Sequence, residues 1–247
     1  MQEIADRLKR VEDNIASACD RASRPVEDVT MIVVTKTAQI ESIKEVIRLG
    51  HTNLGENRLQ HLKQVAKEVA DFLEAGKDDP ALAGDVNWHM IGHLQRNKVR
   101  SVLKISSFVH SVDTLRLAEE ISGTAEKLKM TPNVFLQVNC SEEPQKYGVP
   151  VCAAIHLAEQ IITMNNIRLV GLMTMAPLTL NKDVVRACFV RAREIFEEIK
   201  DEGFVGKEFK HLSMGMSQDY EIAVEEGATI LRIGSAIFTD NKITRRI

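Results

Sequence analysis

The chain has 247 residues, 44% hydrophobic and 27% charged, a balance that belongs to a globular protein and excludes a disordered one. Thirty-two basic against 35 acidic side chains leave a formal charge of −3, so no global positive field draws in nucleic acid or an anionic membrane. Aromatic residues, at 4%, are too few to build base-stacking platforms.

The opening segment sets Ile4, Leu8, Val11 and Ile15 at helical spacing. After Arg24-Pro25, residues 29–35 form a β-branched run that reads as a first buried strand, and Ile40, Ile43 and Ile47 mark a helix stopped by Gly50. A weaker strand at 51–54 precedes a helix over 57–73, and the Gly-, Pro- and Asp-bearing stretch 74–85 is a surface loop. A third strand at 86–91 and a helix over 95–103 follow. Next come a short strand at 107–110 and a helix carrying Leu117, Ile121, Ala125 and Leu128 on one face, with Asp113 as its expected N-cap. Strand five at 133–138 leads to a helix over 151–164. Strand six at 168–173 leads to the strongest helical stripe of the chain: Val185, Phe189, Ala192, Phe196 and Ile199. Strand seven is expected at 209–212, a short helix at 218–226 ended by Gly227, and strand eight at 229–233.

Strands that alternate with helices and are continuously apolar predict a parallel α/β sheet covered by helices. Eight of them in a chain of this length predict one closed (β/α)8 barrel of the TIM type, with an extra N-terminal helix, occupying 1–247 as a single domain. The longest uncharged stretches, such as 169–180, are about 12 residues against the ~20 a membrane span needs. The start, MQEIADRLKR, has no basic region followed by an apolar core and so no visible secretory signal. Cys19, Cys140, Cys152 and Cys188 are too scattered for a disulfide framework, and reduced thiols in the cytoplasm are the expectation.

In such a barrel the chemistry projects from the C-terminal ends of the strands. Strand one ends Val33-Val34-Thr35-Lys36. A lone lysine there reads first as one snorkelling from the rim, and less commonly as an amine kept neutral by a low-dielectric floor and able to condense with an aldehyde. Strand seven is followed by Ser213-Met214-Gly215-Met216-Ser217, with Asp219 in the next helix, and strand eight by Gly234-Ser235-Ala236. Two hydroxyl- and glycine-bearing turns there form the corner where barrels commonly dock phosphate, although Ser217 alone reads as an N-cap and Gly234 as a tight turn. Arg232 shares parity with Ile230 and Gly234 and so points into the barrel near its mouth, available to a planar ring nitrogen or to an acidic rim residue. Asn57, where strand two turns into its helix, reads as a cap or as a ligand-binding amide. His89 and His93 have a metal-like spacing, but Met90 stands where a zinc protease needs Glu and Gly92 interrupts a helix. His110 and His211 read as single core or rim groups, and no Gly-rich phosphate motif or nucleophile elbow occurs.

With these segments assembled, the chain resembles the pyridoxal-phosphate homeostasis proteins nearly end to end. The segments are Val34-Thr35-Lys36-Thr37; Gly55-Glu56-Asn57; Trp88-His89-Met90-Ile91-Gly92-His93-Leu94-Gln95; Gln137-Val138-Asn139; Gly171-Leu172-Met173; Ser213-Met214-Gly215-Met216-Ser217; and Arg232-Ile233-Gly234. The resemblance implies a barrel similar to the N-terminal domain of alanine racemase and pyridoxal 5′-phosphate held as a Schiff base on Lys36. It implies that Ser213, Met214, Gly234 and Ser235 surround the phosphate, that Arg232 faces the pyridine nitrogen and that Asn57 lines the ring pocket. It also implies a carrier in vitamin B6 homeostasis without catalytic turnover, releasing the cofactor to apoenzymes that depend on it. Thr239-Asp240 depart from the family's usual glycine, and Cys140 stands where an apolar residue or Thr is common.

The alternative of the same cofactor class is an amino-acid racemase, which needs a tyrosine on the cofactor face opposite the lysine, supplied with a separate β-domain. Tyr147 and Tyr220 are the two tyrosines of the chain, and no residues remain for that domain, which also favours a monomer. A cofactor-free Schiff-base aldolase on the same barrel is a third reading. A metal-dependent hydrolase is a distant fourth.

Overall fold

The computed structural model describes residues 2–82 and 84–239, so Asp240, one of the two departures in the C-terminal segment, lies outside the described residues. Eight parallel strands close into a barrel in chain order: β1 Thr30–Val34, β2 Asn53–Glu56, β3 Asn87–Met90, β4 Phe108–Val112, β5 Asn133–Gln137, β6 Arg168–Met173, β7 His211–Met216 and β8 Ile230–Ile233. Closure comes from pairing of β1 with β8, where Val33 sits opposite Ile233. The strands alternate with α2 Ile40–Arg48, α3 Leu59–Ala75, α4 Val99–Leu103, α5 Leu115–Leu128, α6 Ala154–Ile162, α7 Lys182–Asp201, α8 Tyr220–Glu225 and the short α9 Ser235–Phe238, with α1 Gln2–Arg21 in front. The expected α/β barrel with an extra N-terminal helix is therefore the observed fold.

Two separate cores follow from the alternation of side chains along each strand. Outward residues such as Val33, Leu54, Met90, Val109, Leu136 and Leu172 pack against the apolar faces of the helices. Inward residues Ile32, Phe135, Val170, Met173 and Ile230 fill the barrel. Interior space is tight where β6 meets β7: a Cβ on Gly171 would stand 1.8 Å from the His211 carbonyl oxygen, so only glycine lets these strands approach.

The sequence reading is corrected at several ends. The helix after β4 is capped by Thr114, whose hydroxyl accepts from Leu117 N–H at 3.3 Å, and not by Asp113, which lies one residue too early. Strand β2 begins two residues later than expected and runs to Glu56. Strand β7 begins at His211 and continues through Met216, with a register shift between Ser213 and Met216 and positive φ at Gly215. Residues 213–216, expected as a turn, are thus strand, and this changes where their side chains go.

Candidate functional site

Lys36 follows β1 in a two-residue turn and is exposed at the C-terminal end of the barrel. The apolar floor expected to surround its amine is formed by Val33, Val34 and Thr35, which are buried, but the lysine stands clear of it. Below it, the Thr35 hydroxyl donates to the Glu56 carboxylate, which is fully buried and has His61 Nδ1 2.9 Å away. Thr35 N–H donates to the Gly55 carbonyl at 3.0 Å, tying the end of β1 to β2. Two residues on, Asn57 occupies a bend before α3. Arg58 holds the N-cap position there and no side chain caps the helix, so Asn57 does not serve as a cap. Its backbone is pressed by the loop after β3: a Cβ on Gly92 would lie 2.2 Å from the Asn57 carbonyl oxygen.

The turn after β8 is built against the same end of β1. A Cβ on Gly234 would meet the Val34 carbonyl oxygen at 2.9 Å and the Val34 Cβ at 3.2 Å, so glycine brings the two chain segments together. Gly234 N–H and Ala236 N–H both donate to Ser217 Oγ, each at 3.2 Å. Ser217 is therefore not an N-cap of α8, whose cap position is Asp219; it ties the segment after β7 to the turn after β8. From the sequence Ser217 reads as part of the phosphate-docking corner or as a cap, and its spacing from Gly234 carries no signal of this bond. Ser235 is exposed beside it. Concavities of about 420 and 350 Å³ share Ser217, Gln218 and Tyr220 in their walls, and the smaller is also bounded by Arg7, Arg10 and Ser235.

Ser213 does not join that turn. It lies fully buried inside the barrel, where its hydroxyl accepts from Arg232 Nη1 at 2.7 Å and lies 3.1 Å from His110 Nδ1. Met214, the next strand residue, points the other way: its side chain is fully buried in the core between strands and helices. Arg232 points inward as its parity requires, and its second anchor is the Thr174 carbonyl, 2.9 Å from Nη2. Burial lowers the Arg232 pKa to about 10, against a raising effect of Asp219, so it remains a cation at neutral pH. Neither of its two bonds is to an acidic rim residue.

The histidines separate into different clusters. His89 lies in the barrel interior, 3.3 Å from Asn53 Oδ1 and 3.1 Å from His110 Nε2. His93 stacks on Tyr147 at 4.0 Å, with Asp113 3.9 Å from its Nδ1. Tyr147 is exposed there, whereas Tyr220 is held in the packing of α8, its hydroxyl accepting from Asn14 Nδ2 of α1 at 2.8 Å. Burial raises the Cys140 thiol to about 11, consistent with an inert packed side chain.

The family model described as alanine racemase, N-terminal domain, matches residues 7–242. A pyridoxal phosphate homeostasis protein of Aquifex aeolicus is 36% identical over 237 residues, covering 96% of this chain and 98% of that one. Among solved structures, a protein of unknown function from Bifidobacterium adolescentis is 36% identical with a TM-score of 0.86, covering 96% of this chain and 95% of its own. PipY of Synechococcus elongatus, solved with PLP bound, is 31% identical with a TM-score of 0.80, and the match covers 96% of this chain and all of PipY.

Proposed function

The chain belongs to the pyridoxal phosphate homeostasis proteins of the alanine racemase N-terminal domain family, and from this premise we propose that it binds pyridoxal 5′-phosphate at the C-terminal mouth of its barrel and holds it for other proteins. The observation that carries this reading is the junction of β1 with the turn after β8. Gly234 packs on Val34, two residues before the amine of Lys36, and the Gly234 and Ala236 N–H groups are gathered on one serine hydroxyl beside it. A primary amine and a turn bearing the Ser217 and Ser235 hydroxyls suit an aldehyde that also carries a phosphate ester.

When bound, the cofactor would supply an aldehyde able to join a primary amine reversibly. Lys36 is the residue for that bond, and its exposure leaves the bond open to exchange with an incoming amine. Gly234 and Ser235, together with Ser217, hold the phosphate. Asn57 lines the ring pocket, and Arg232 offers an N–H to the ring nitrogen, which keeps that nitrogen unprotonated and weakens the ring as an electron sink. Ser213 acts through Arg232, and Met214 supports β7 by packing only.

A carrier rather than an enzyme is the reading favoured by the relatives' names and by Tyr220 being engaged with Asn14. Delivery to apoenzymes that need the cofactor, by a monomer in the cytoplasm, completes the proposal. Among the described residues no helix is long and apolar enough to cross a membrane. The racemase alternative has one observation in its favour, the exposed Tyr147 near the ends of β3 and β5.

The test is an absorption spectrum of the purified protein loaded with pyridoxal phosphate, before and after borohydride, with peptide mapping of the label. A pyridoxyl group on Lys36, absent from Lys36→Ala, is expected. A label on another side chain, or none, overturns the proposal, and steady exchange of an amino acid α-proton that is lost in Lys36→Ala moves it to the racemase.

A further inference from the structure

The barrel interior holds a line of polar groups that the binding reading leaves unused. We infer that His110 and His89 are positioning residues for Arg232, forming a one-way hydrogen-bond chain that fixes both imidazoles as Nε2–H tautomers and locks the guanidinium in one orientation. The direction follows from donor and acceptor inventory alone. A guanidinium has only donors, so at 2.7 Å Ser213 Oγ must accept from Arg232. The hydroxyl proton of Ser213 then has one acceptor in reach, His110 Nδ1 at 3.1 Å, which must be bare. The neutral ring carries its proton on Nε2, which lies 3.1 Å from His89 Nδ1; that nitrogen must be bare in turn, leaving His89 Nε2–H to donate to Asn53 Oδ1 at 3.3 Å.

Reversing the chain would leave the buried Ser213 proton without an acceptor and set the bare His89 Nε2 against the Asn53 carbonyl oxygen. Charging either ring is disfavoured by burial, which lowers His89 to about 3 and His110 well below its ordinary value. Stacking holds both rings in place: His110 lies on Phe135 at 4.0 Å and His89 on Phe108 at 4.3 Å. Serine donating to an imidazole is a better acceptor for the guanidinium, because linked hydrogen bonds polarise one another. With the Thr174 carbonyl as second anchor, a planar fork held at two points has no freedom to turn. The consequence for ligand binding rests on the pyridoxal phosphate reading; the chain itself does not.

Long-range proton–nitrogen NMR on the 15N-labelled protein at neutral pH tests the chain without any ligand. His89 and His110 should each show protonated Nε2 and bare Nδ1, and Ser213→Ala should shift the His110 Nδ1 resonance as that nitrogen loses its hydroxyl donor. An Nδ1–H or charged ring in the unaltered protein, or a Ser213→Ala spectrum with His110 Nδ1 unshifted, overturns the inference. For positioning, Ser213→Ala and His110→Phe should each weaken pyridoxal phosphate binding about tenfold, and the double variant no further, because both cut one chain. Additive losses of about a hundredfold would refute the coupling. Should the unaltered protein bind no pyridoxal phosphate, the functional reading fails, and the tautomers still decide this one.

Discussion

Replacing Ser217 by Ala removes the single oxygen on which Gly234 N–H and Ala236 N–H converge. Each bond is 3.2 Å, longer than the usual 2.9–3.0 Å, so each belongs at the lower end of the net 0.5–1.5 kcal/mol of a protein hydrogen bond. Both donors are only partly buried, and water recovers part of the loss. The expected cost is about 0.5–1 kcal/mol, a fall in Tm of roughly 1–4 °C for a chain of this size. Ser235 offers the control: it is exposed, among the described residues no hydrogen bond engages its side chain, and Ser235→Ala should change stability by less than about 0.5 kcal/mol. Toward pyridoxal phosphate the two should behave alike, each weakening binding roughly tenfold as one hydroxyl is lost from the phosphate. Urea titration of the unliganded protein, read beside an absorbance titration with the cofactor, separates the two effects. A Ser217→Ala protein as stable as the parent would refute the idea that this hydroxyl ties the segment after β7 to the turn after β8. Equal affinity in both variants and the parent would remove the phosphate from this turn.

Other outcomes follow from the same geometry. Gly171→Ala puts a methyl 1.8 Å from the His211 carbonyl oxygen and must part β6 from β7, at a cost above about 3 kcal/mol; a melting curve matching the parent's would contradict the packing. Thr114→Ala should lose about 1 kcal/mol by denaturant titration and Thr114→Ser should restore it, since the cap bond to Leu117 N–H needs only a hydroxyl. Acid sensitivity has a defined sign. His89 titrates near 3 when folded against 6.5 unfolded, so the unfolded chain binds the extra proton; stability is full above 6.5 and falls as pH drops toward 3. With His110, His51 and His211 lowered by burial in the same direction, the slope between pH 6.5 and about 5 steepens, and His110→Gln should reduce it by up to about 1.4 kcal/mol per pH unit. Asp113 and Asp219, raised by burial, oppose this at the acid end, which is why the slope is read above pH 5. An unchanged slope in His110→Gln would show that this ring does not titrate on unfolding.

Period and parity made most of the barrel legible. Short apolar runs between helices located the eight strands, and Arg232 could be aimed inward because Ile230, two residues earlier, had to be. Strand β7 was misread because Gly215 looks like a turn residue. Its positive φ instead makes a bulge within the strand, and Ser213 and Met214 were therefore expected at the mouth when one faces the barrel axis and the other the helices. The Ser217 bonds join residues 17 and 19 positions apart, and spacing in sequence carries no trace of such pairings. His110 was readable in part: it shares parity with Phe108 on β4 and so had to face inward, but its partner at Ser213 lies 103 positions away.

Helix α1 packs across the far end of the chain. Arg21 pairs with Glu221 and Glu225 of α8, and an Arg7 guanidinium N–H donates to the Ile237 carbonyl of α9. These contacts close over 200 or more positions of chain, so α1 cannot dock fully until α8 and α9 are in place beside it.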